Sequence, residues 1–291
     1  MNPRSCLFAA AILTALMSWP AGAQTLPPHK DELFAYPVTL SEADGGAYRV
    51  VDYREARDVN GRDEVPERRV RRQYVSLGVR SAQKEMRLDS PAGPLRFVAV
   101  GRQAGASVIV LYLHGQGGNR LQGVNDFTFG GNFNRVKNLV TKAGGLYVSP
   151  DFSDFGARGA GQVGAIIAHF ARRSPDAPVI VACGSMGGAL CWKLAQDPSV
   201  APRLGGLLLL GSLWDENFLA SAAYGRKVPV FFGHGSRDTV FAVDRQEAFY
   251  RRVRGASGGY PARFVRFESG THGTPIRMVD WRGVLNWMLS R

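Results

Sequence analysis

Three side chains of this sequence could together turn an alcohol into a nucleophile, and each follows an apolar run. Ser185 lies in Cys183-Gly184-Ser185-Met186-Gly187-Gly188, between the run Val179–Ala182 and a helical pattern. A serine hydroxyl is a weak nucleophile at neutral pH and needs an adjacent base. Histidine can take its proton and return it to a leaving group, and a carboxylate fixes the imidazole tautomer and stabilises its cation. His272 stands in Glu268-Ser269-Gly270-Thr271-His272-Gly273, past the last apolar run, and Asp238 closes His234-Gly235-Ser236-Arg237-Asp238. Each residue has a rival. Asp238 could instead cap a helix, with Asp215 as the substitute acid. His114 and His234 belong to glycine turns, and His169 sits inside a helical pattern.

The same turns supply donors for a developing oxyanion. A serine on a tight strand-to-helix turn, crowded by small neighbours, is held out of the sheet with its hydroxyl exposed. The following helix end has unpaired N–H groups and a positive dipole end. The Met186 N–H is therefore one candidate donor. The Gln116 N–H, in the glycine-rich turn His114-Gly115-Gln116-Gly117-Gly118, is the other. Beyond that turn, Asp126, Phe127, Phe129 and Phe133, and the stretch from Asp151 to Phe155, are candidates for the site rim.

These loops need a scaffold, and residues 107 onward read as one. Apolar runs bounded by glycine alternate with amphipathic stretches. The runs are Val108–Leu113, Gly145–Ser149, Val179–Ala182, Gly206–Gly211, Val228–Gly233 and Ala262–Phe267. The helical stretches are Asn134–Ala143, Gln162–Arg173, Gly187–Gln196, Val243–Arg254 and Ile276–Leu289. Buried β-rich runs alternating with helices predict an α/β fold, a mainly parallel sheet covered on both faces. In such sheets reactive groups gather beyond the strand carboxyl ends. Upstream, Arg49–Arg57 and Val65–Gly78 flank the turn pair Asn60-Gly61, which predicts an antiparallel hairpin at one edge. Leu95–Gly101 reads as a further strand, and residues 24–47 as an irregular lead-in.

With Ser185, Asp238 and His272 in that order, each past a strand, the chain resembles the α/β-hydrolase family over roughly residues 95–291. The resemblance implies an eight-stranded sheet, a serine esterase- or lipase-like hydrolase working through an acyl-enzyme, and no metal or organic cofactor. A peptidase, thioesterase or polyester depolymerase would use the same machinery, and a hydrolase-like binding protein is the non-enzymatic alternative. One position departs from the family's Gly-x-Ser-x-Gly elbow: Cys183 stands two before the serine. Cysteine is small, and Gly184, Gly187 and Gly188 leave room for the turn. Cys183 and Cys191 read as buried thiols, with a bridge between them left open. The connection from Gly211 to Val228 is too short for a large cap domain, which predicts an open site.

Composition bounds the rest. The chain has 291 residues, 45% hydrophobic, enough for a sizeable core. Residues 1–23 read as a signal peptide: a basic start at Arg4, an apolar stretch over residues 6–19, and Ala21-Gly22-Ala23 before a cut. The expectation is a single domain over residues 24–291, secreted or periplasmic, with no transmembrane anchor in the mature form. The 36 Lys and Arg exceed the 24 Asp and Glu, a balance that attracts anionic surfaces. The run Arg68, Arg69, Arg71 and Arg72 is read as a solvated edge strand. No nucleic-acid-binding motif is present, so the expected partner is a small-molecule or lipid-like ester.

Overall fold

The computed structural model describes residues 25–255 and 259–291; the predicted signal peptide, residues 1–23, lies outside them. The described chain opens with α1 (Asp31–Phe34), β1 (Thr39–Ala43) and β2 (Tyr48–Asp52), then a short ribbon of β3 (Asp63–Val65) and β4 (Arg69–Val70). Next come β5 (Gln83–Leu88), β6 (Leu95–Gly101), β7 (Ile109–Leu113), α2 (Asn132–Lys142), β8 (Leu146–Pro150), α3 (Ala157–Arg173) and β9 (Val179–Gly184). The remainder is α4 (Gly188–Gln196), β10 (Leu204–Leu210), α5 (Ala222–Gly225), β11 (Val230–Gly235), α6 (Val243–Gly255), β12 (Ala262–Glu268), α7 (Thr274–Met278) and α8 (Trp281–Leu289).

Ten strands form one sheet in the order β1-β2-β12-β11-β10-β9-β7-β8-β6-β5. Its centre is parallel, from β2 through β12, β11, β10, β9 and β7 to β8. Antiparallel pairs close both edges, β1 on β2 and, on the far side, β8, β6 and β5. Strand β7 is buried along its whole length. Its side chains alternate between two cores: Ile109, Leu111 and Leu113 face one, Val110 and Tyr112 the other. Helices α3, α4 and α6 cover the first face through residues such as Phe170, Trp192 and Phe249. Helices α2 and α8 cover the second through Phe133, Leu139 and Leu285. This double burial is why the central strands read as unbroken apolar runs.

The chain leaves β7 for β8 on one side and then crosses back to β9 on the other. Connections that diverge in this way open a crevice beyond the strand carboxyl ends. Ser185 follows β9 at that point, and His114 and Gly115 follow β7.

The early segment differs from the expected hairpin. An antiparallel hairpin does occupy one edge, but β1 and β2 build it, with Ala43 opposite Tyr48. Residues 56–60 form a π-helical turn instead of a strand, closed by the Gly61 N–H on the Ala56 carbonyl. The two-stranded ribbon after Gly61 turns at Glu67 and stands apart from the main sheet. Its β4 carries Arg69, which bonds Glu64 and lies over the Phe127 ring, 4.3 Å from its centroid. Among the described residues the sheet has ten strands where eight were expected, because β1 and β2 extend it past β12. The predicted last helix is broken at Val279 and Asp280. There the Asn132 amide donates to the carbonyls of Ile276 and Val279, satisfying groups that a continuous helix would bond internally. Among the described residues no helix is long and apolar enough to cross a membrane.

Candidate active site

Ser185 sits on the turn between β9 and α4 with φ +50°, a left-handed conformation that L-residues adopt only when the surroundings enforce it. Those surroundings are backbone placed where side chains would not fit. A Cβ on Gly187 would stand 2.6 Å from the Leu113 carbonyl, and one on Gly115 would stand 2.8 Å from the Ser185 Cβ. The Ser212 hydroxyl, just past β10, donates to the Ser185 carbonyl at 2.6 Å. Cys183, at the end of β9, is bridged to Cys191 in α4 by a disulfide with Cα atoms 6.3 Å apart. The two cysteines are therefore not free thiols, which corrects the reading from sequence. The spacing alone said nothing of geometry; the turn folds α4 back under β9 and brings the two Sγ atoms together.

His272 reaches the serine from the loop after β12. Its Nε2 lies 2.8 Å from Ser185 Oγ, and its Nδ1 lies 2.8 Å from Asp238 Oδ2. With Nδ1–H donating to the carboxylate, Nε2 is left as the acceptor of the serine proton. Asp238 Oδ1 accepts from the N–H groups of Val240 and Phe241, at 2.8 and 3.0 Å. Burial pushes the Asp238 carboxyl up, but the hydrogen bonds from His272, Phe241 and Val240 outweigh it and hold the group below its ordinary range.

The loops that carry the acid and the imidazole are stitched to each other. The Arg237 N–H donates to the Gly270 carbonyl, and the Ser236 hydroxyl bridges Glu268 and the Ser269 N–H. Gly211 has φ +55°, and a Cβ there would meet the His272 carbonyl at 2.6 Å. The end of β10 thus packs backbone against backbone under the imidazole.

The rival residues are occupied elsewhere. Asp215 caps the turn at 216–220, accepting from the Asn217 N–H. His169 packs edge-on to Phe170 on α3. The His114 ring stacks on Phe152 with centroids 4.2 Å apart, and its Nδ1–H donates to the Gly115 carbonyl. Burial lowers its affinity for a proton. His234 is fully buried. Its Nε2–H donates to the Phe241 carbonyl at 2.7 Å and passes Asp238 Oδ2 at 3.3 Å, and burial pushes its pKa down. A neutral second imidazole therefore backs the carboxylate, a contact that its place in a glycine turn did not suggest. Phe241, also unforeseen, lies with its ring centroid 5.7 Å from that of His272.

A cavity of about 170 Å³ opens beside this group, walled by Ser185, His272, Gln116, Phe129, Leu210 and Ile276. Gln116 thus lies at the serine, and among the described residues no backbone carbonyl accepts its N–H. Met186, on the elbow itself, is half-buried. Of the other rim candidates, Phe133 is core, and Asp126 is buried beneath Arg80, Asn134 and Lys137. Asp151 binds Arg120. A larger cavity, about 350 Å³ and lined by Arg87, Arg96, Phe152 and Arg158, holds neither Ser185 nor His272. Among the described residues no cluster of His, Cys, Asp and Glu could hold a metal ion.

No protein-family model matches the chain, and no curated protein matches it in sequence. Solved structures do. A putative α/β hydrolase of unknown function from Agrobacterium tumefaciens superposes with a TM-score of 0.57 at 17% identity, over 72% of this chain and 95% of its own. A lidless α/β serine hydrolase from Xanthomonas campestris gives 0.52 at 16% identity, over 72% and 95%. An esterase from Pyrococcus furiosus gives 0.51 at 14% identity, over 72% and 92%. The chain has the α/β-hydrolase fold.

Proposed function

We propose that this protein is an exported serine hydrolase that cleaves carboxylic esters through an acyl-enzyme. The observation that carries the reading is the unbroken relay Ser185 Oγ, His272 Nε2, His272 Nδ1, Asp238 Oδ2, with 2.8 Å at each contact, on a serine held at positive φ beside an accessible cavity. In the first step Ser185 Oγ attacks the ester carbonyl carbon while its proton passes to His272 Nε2. Asp238 keeps the imidazole in the correct tautomer and stabilises the cation that forms. Negative charge collects on the carbonyl oxygen, where the N–H groups of Gln116 and Met186 receive it. The intermediate collapses, His272 returns the proton to the departing alkoxide, and the acyl group stays on Ser185. Water then repeats the sequence with His272 as base, releasing the acid and restoring the serine.

Solved structures that share the fold include the Pyrococcus furiosus esterase and esterase 2 of Thermogutta terrifontis, the latter phosphorylated by paraoxon, which supports an ester substrate. The short connection from β10 to β11, holding only a 3-10 turn and α5, supports an uncapped site. The disulfide supports an oxidising compartment, in keeping with the signal peptide read at residues 1–23. Labelling with a fluorophosphonate and hydrolysis of 4-nitrophenyl butanoate test the reading. Wild type should do both and Ser185→Ala neither, at unchanged Tm. A wild-type protein that is unlabelled and inert toward short-chain esters overturns it in favour of a binding protein.

A further inference from the structure

The segment that leaves β10 touches both members of the Ser185–His272 pair. Gly211 packs against the His272 carbonyl, close enough to exclude a side chain. Ser212 is fully buried, and its hydroxyl donates to the Ser185 carbonyl at 2.6 Å. The segment is itself clamped on both sides. The Gly211 N–H donates to the Gly233 carbonyl of β11 at 2.8 Å, and the Leu213 carbonyl accepts from Trp192 Nε1 of α4 at 2.9 Å. Gly188 makes the Ser212 contact possible, since a Cβ there would strike the hydroxyl.

The Ser185 carbonyl belongs to the peptide whose N–H is that of Met186, the candidate oxyanion donor on the elbow. A trans peptide is planar, and its N–H points away from its carbonyl. Rotation about the Cα–C bond of Ser185 swings both together, so whatever holds the carbonyl also sets the line of the N–H. The other donor to that carbonyl, the Gly188 N–H, is shared with the Met186 carbonyl; the Ser212 hydroxyl is undivided. Among the described residues no backbone carbonyl outside its own turn accepts the Met186 N–H. A hydrogen bond accepted by a peptide carbonyl also polarises the N–H of the same peptide. Resting on the ester-hydrolase reading, we propose that Ser212 is a positioning residue of the hydrolysis: its hydroxyl locks the Ser185–Met186 peptide so that the Met186 N–H meets the oxyanion. The hydrogen bonds then run from the Ser212 O–H through that peptide to the carbonyl oxygen of the ester. Charge on that oxygen grows only as Ser185 attacks, so the benefit falls on the transition state and not on the bound ester.

Ser212→Ala in the full-length protein tests this with 4-nitrophenyl butanoate. kcat and kcat/KM should fall together by about 10-fold, the cost of one such hydrogen bond, leaving KM unchanged. The acid limb of the kcat/KM profile, which reports the free base, should stay at its wild-type pH, because the Ser212 hydroxyl holds the Ser185 carbonyl and not the imidazole. Butylboronic acid takes the Ser185 oxygen onto boron and becomes a tetrahedral anion, and its inhibition should weaken by about 10-fold as well. A second pair keeps the shape nearly constant: Ser212→Thr retains the donor and Ser212→Val does not. The kcat of the first should exceed that of the second by about 10-fold, and this pair is read in place of Ser212→Ala if that variant does not melt cooperatively. An unchanged kcat in Ser212→Ala overturns the role, as do a loss confined to KM, a shifted acid limb, or equal kcat in the Thr and Val variants. Each of those results leaves the ester-hydrolase reading standing. A wild-type protein inert toward the ester removes the reading and the role together.

Discussion

The serine and the acid that meet at His272 are held by different physics. On the serine side, backbone is packed against backbone. Gly115 and Gly187 leave no room for a methyl group, and the Cys183–Cys191 bridge ties strand to helix beneath the turn. On the acid side, the carboxylate is fixed by what it accepts: two N–H groups, the His272 imidazole and the edge of His234. The serine's place is set by volume, which proton concentration does not touch. The acid's place is set by charge, which it does. In the proposed reaction the nucleophile must be positioned whatever its ionisation, whereas the carboxylate works only as an anion.

Each half of that contrast can be broken separately. The largest effect is expected on the acid side. Asp238→Asn keeps the shape but offers His272 the wrong partner, and kcat should fall about 10⁴-fold with fluorophosphonate labelling slowed in parallel. A loss below 10-fold would mean that the carboxylate does not orient the imidazole. Gly187→Ala comes next. Its methyl must displace the Leu113 carbonyl region and with it the serine, and misplacement of that order costs about 10²-fold in kcat/KM. Steady-state kinetics should show this loss at every pH tested, since the cause is steric.

Removing the bridge with Cys183→Ala/Cys191→Ala should lower stability by about 2–3 kcal/mol, the loop-closure value for so short a segment, seen as a shifted denaturant midpoint. An unchanged midpoint would assign the rigidity of the elbow to its glycines alone.

The smallest effect is the pH response of stability, which sharpens the contrast. His29, His114 and His234 all have folded-state pKa values pushed below the ordinary 6.5, that of His29 to about 4. Their unfolded forms bind protons first. The stability they contribute is complete above about pH 6.5 and is lost as pH falls through the depressed values. Asp126 and Asp238 are depressed from 3.8, so their contribution is present above that value and disappears below it. Tm should therefore be level above pH 7, sag below 6.5 and drop further below 4. Asp238→Asn should make the last segment shallower, leaving the share of Asp126, while the double cysteine variant should keep the wild-type profile at a lower level.

Much of this arrangement was legible in the sequence because the central strands are buried on both faces. Val179–Ala182 and Val228–Gly233 stood out as apolar runs, and the residues just past them fell where a parallel sheet presents its loops. Ser185, Asp238 and His272 were singled out that way, and the structure puts the three side chains in contact. What stayed hidden was set by distant partners. Asn60-Gly61 is a strong turn pair, yet the edge of β12 captured Tyr48–Asp52 as a neighbour, and the turn that follows closed as a π-helix. The break at Val279 depends on the Asn132 amide, remote in sequence. The Cys183–Cys191 bridge depends on how tightly the turn folds back, and the contact of His234 with Asp238 on a ring orientation that no spacing encodes.

Arg277, five residues after His272, is buried and grips the Asp63 carboxylate with both arms of its guanidinium, at 2.7 and 3.1 Å, while also donating to the Asp58 carbonyl. The helix that follows the His272 loop therefore borrows an anchor from a segment more than two hundred residues away in sequence. Removing the segment around residue 60 would strand a buried guanidinium without its counterion in the helix whose Arg277 N–H bonds the Gly273 carbonyl, next to His272, so damage done there would reach the imidazole through α7.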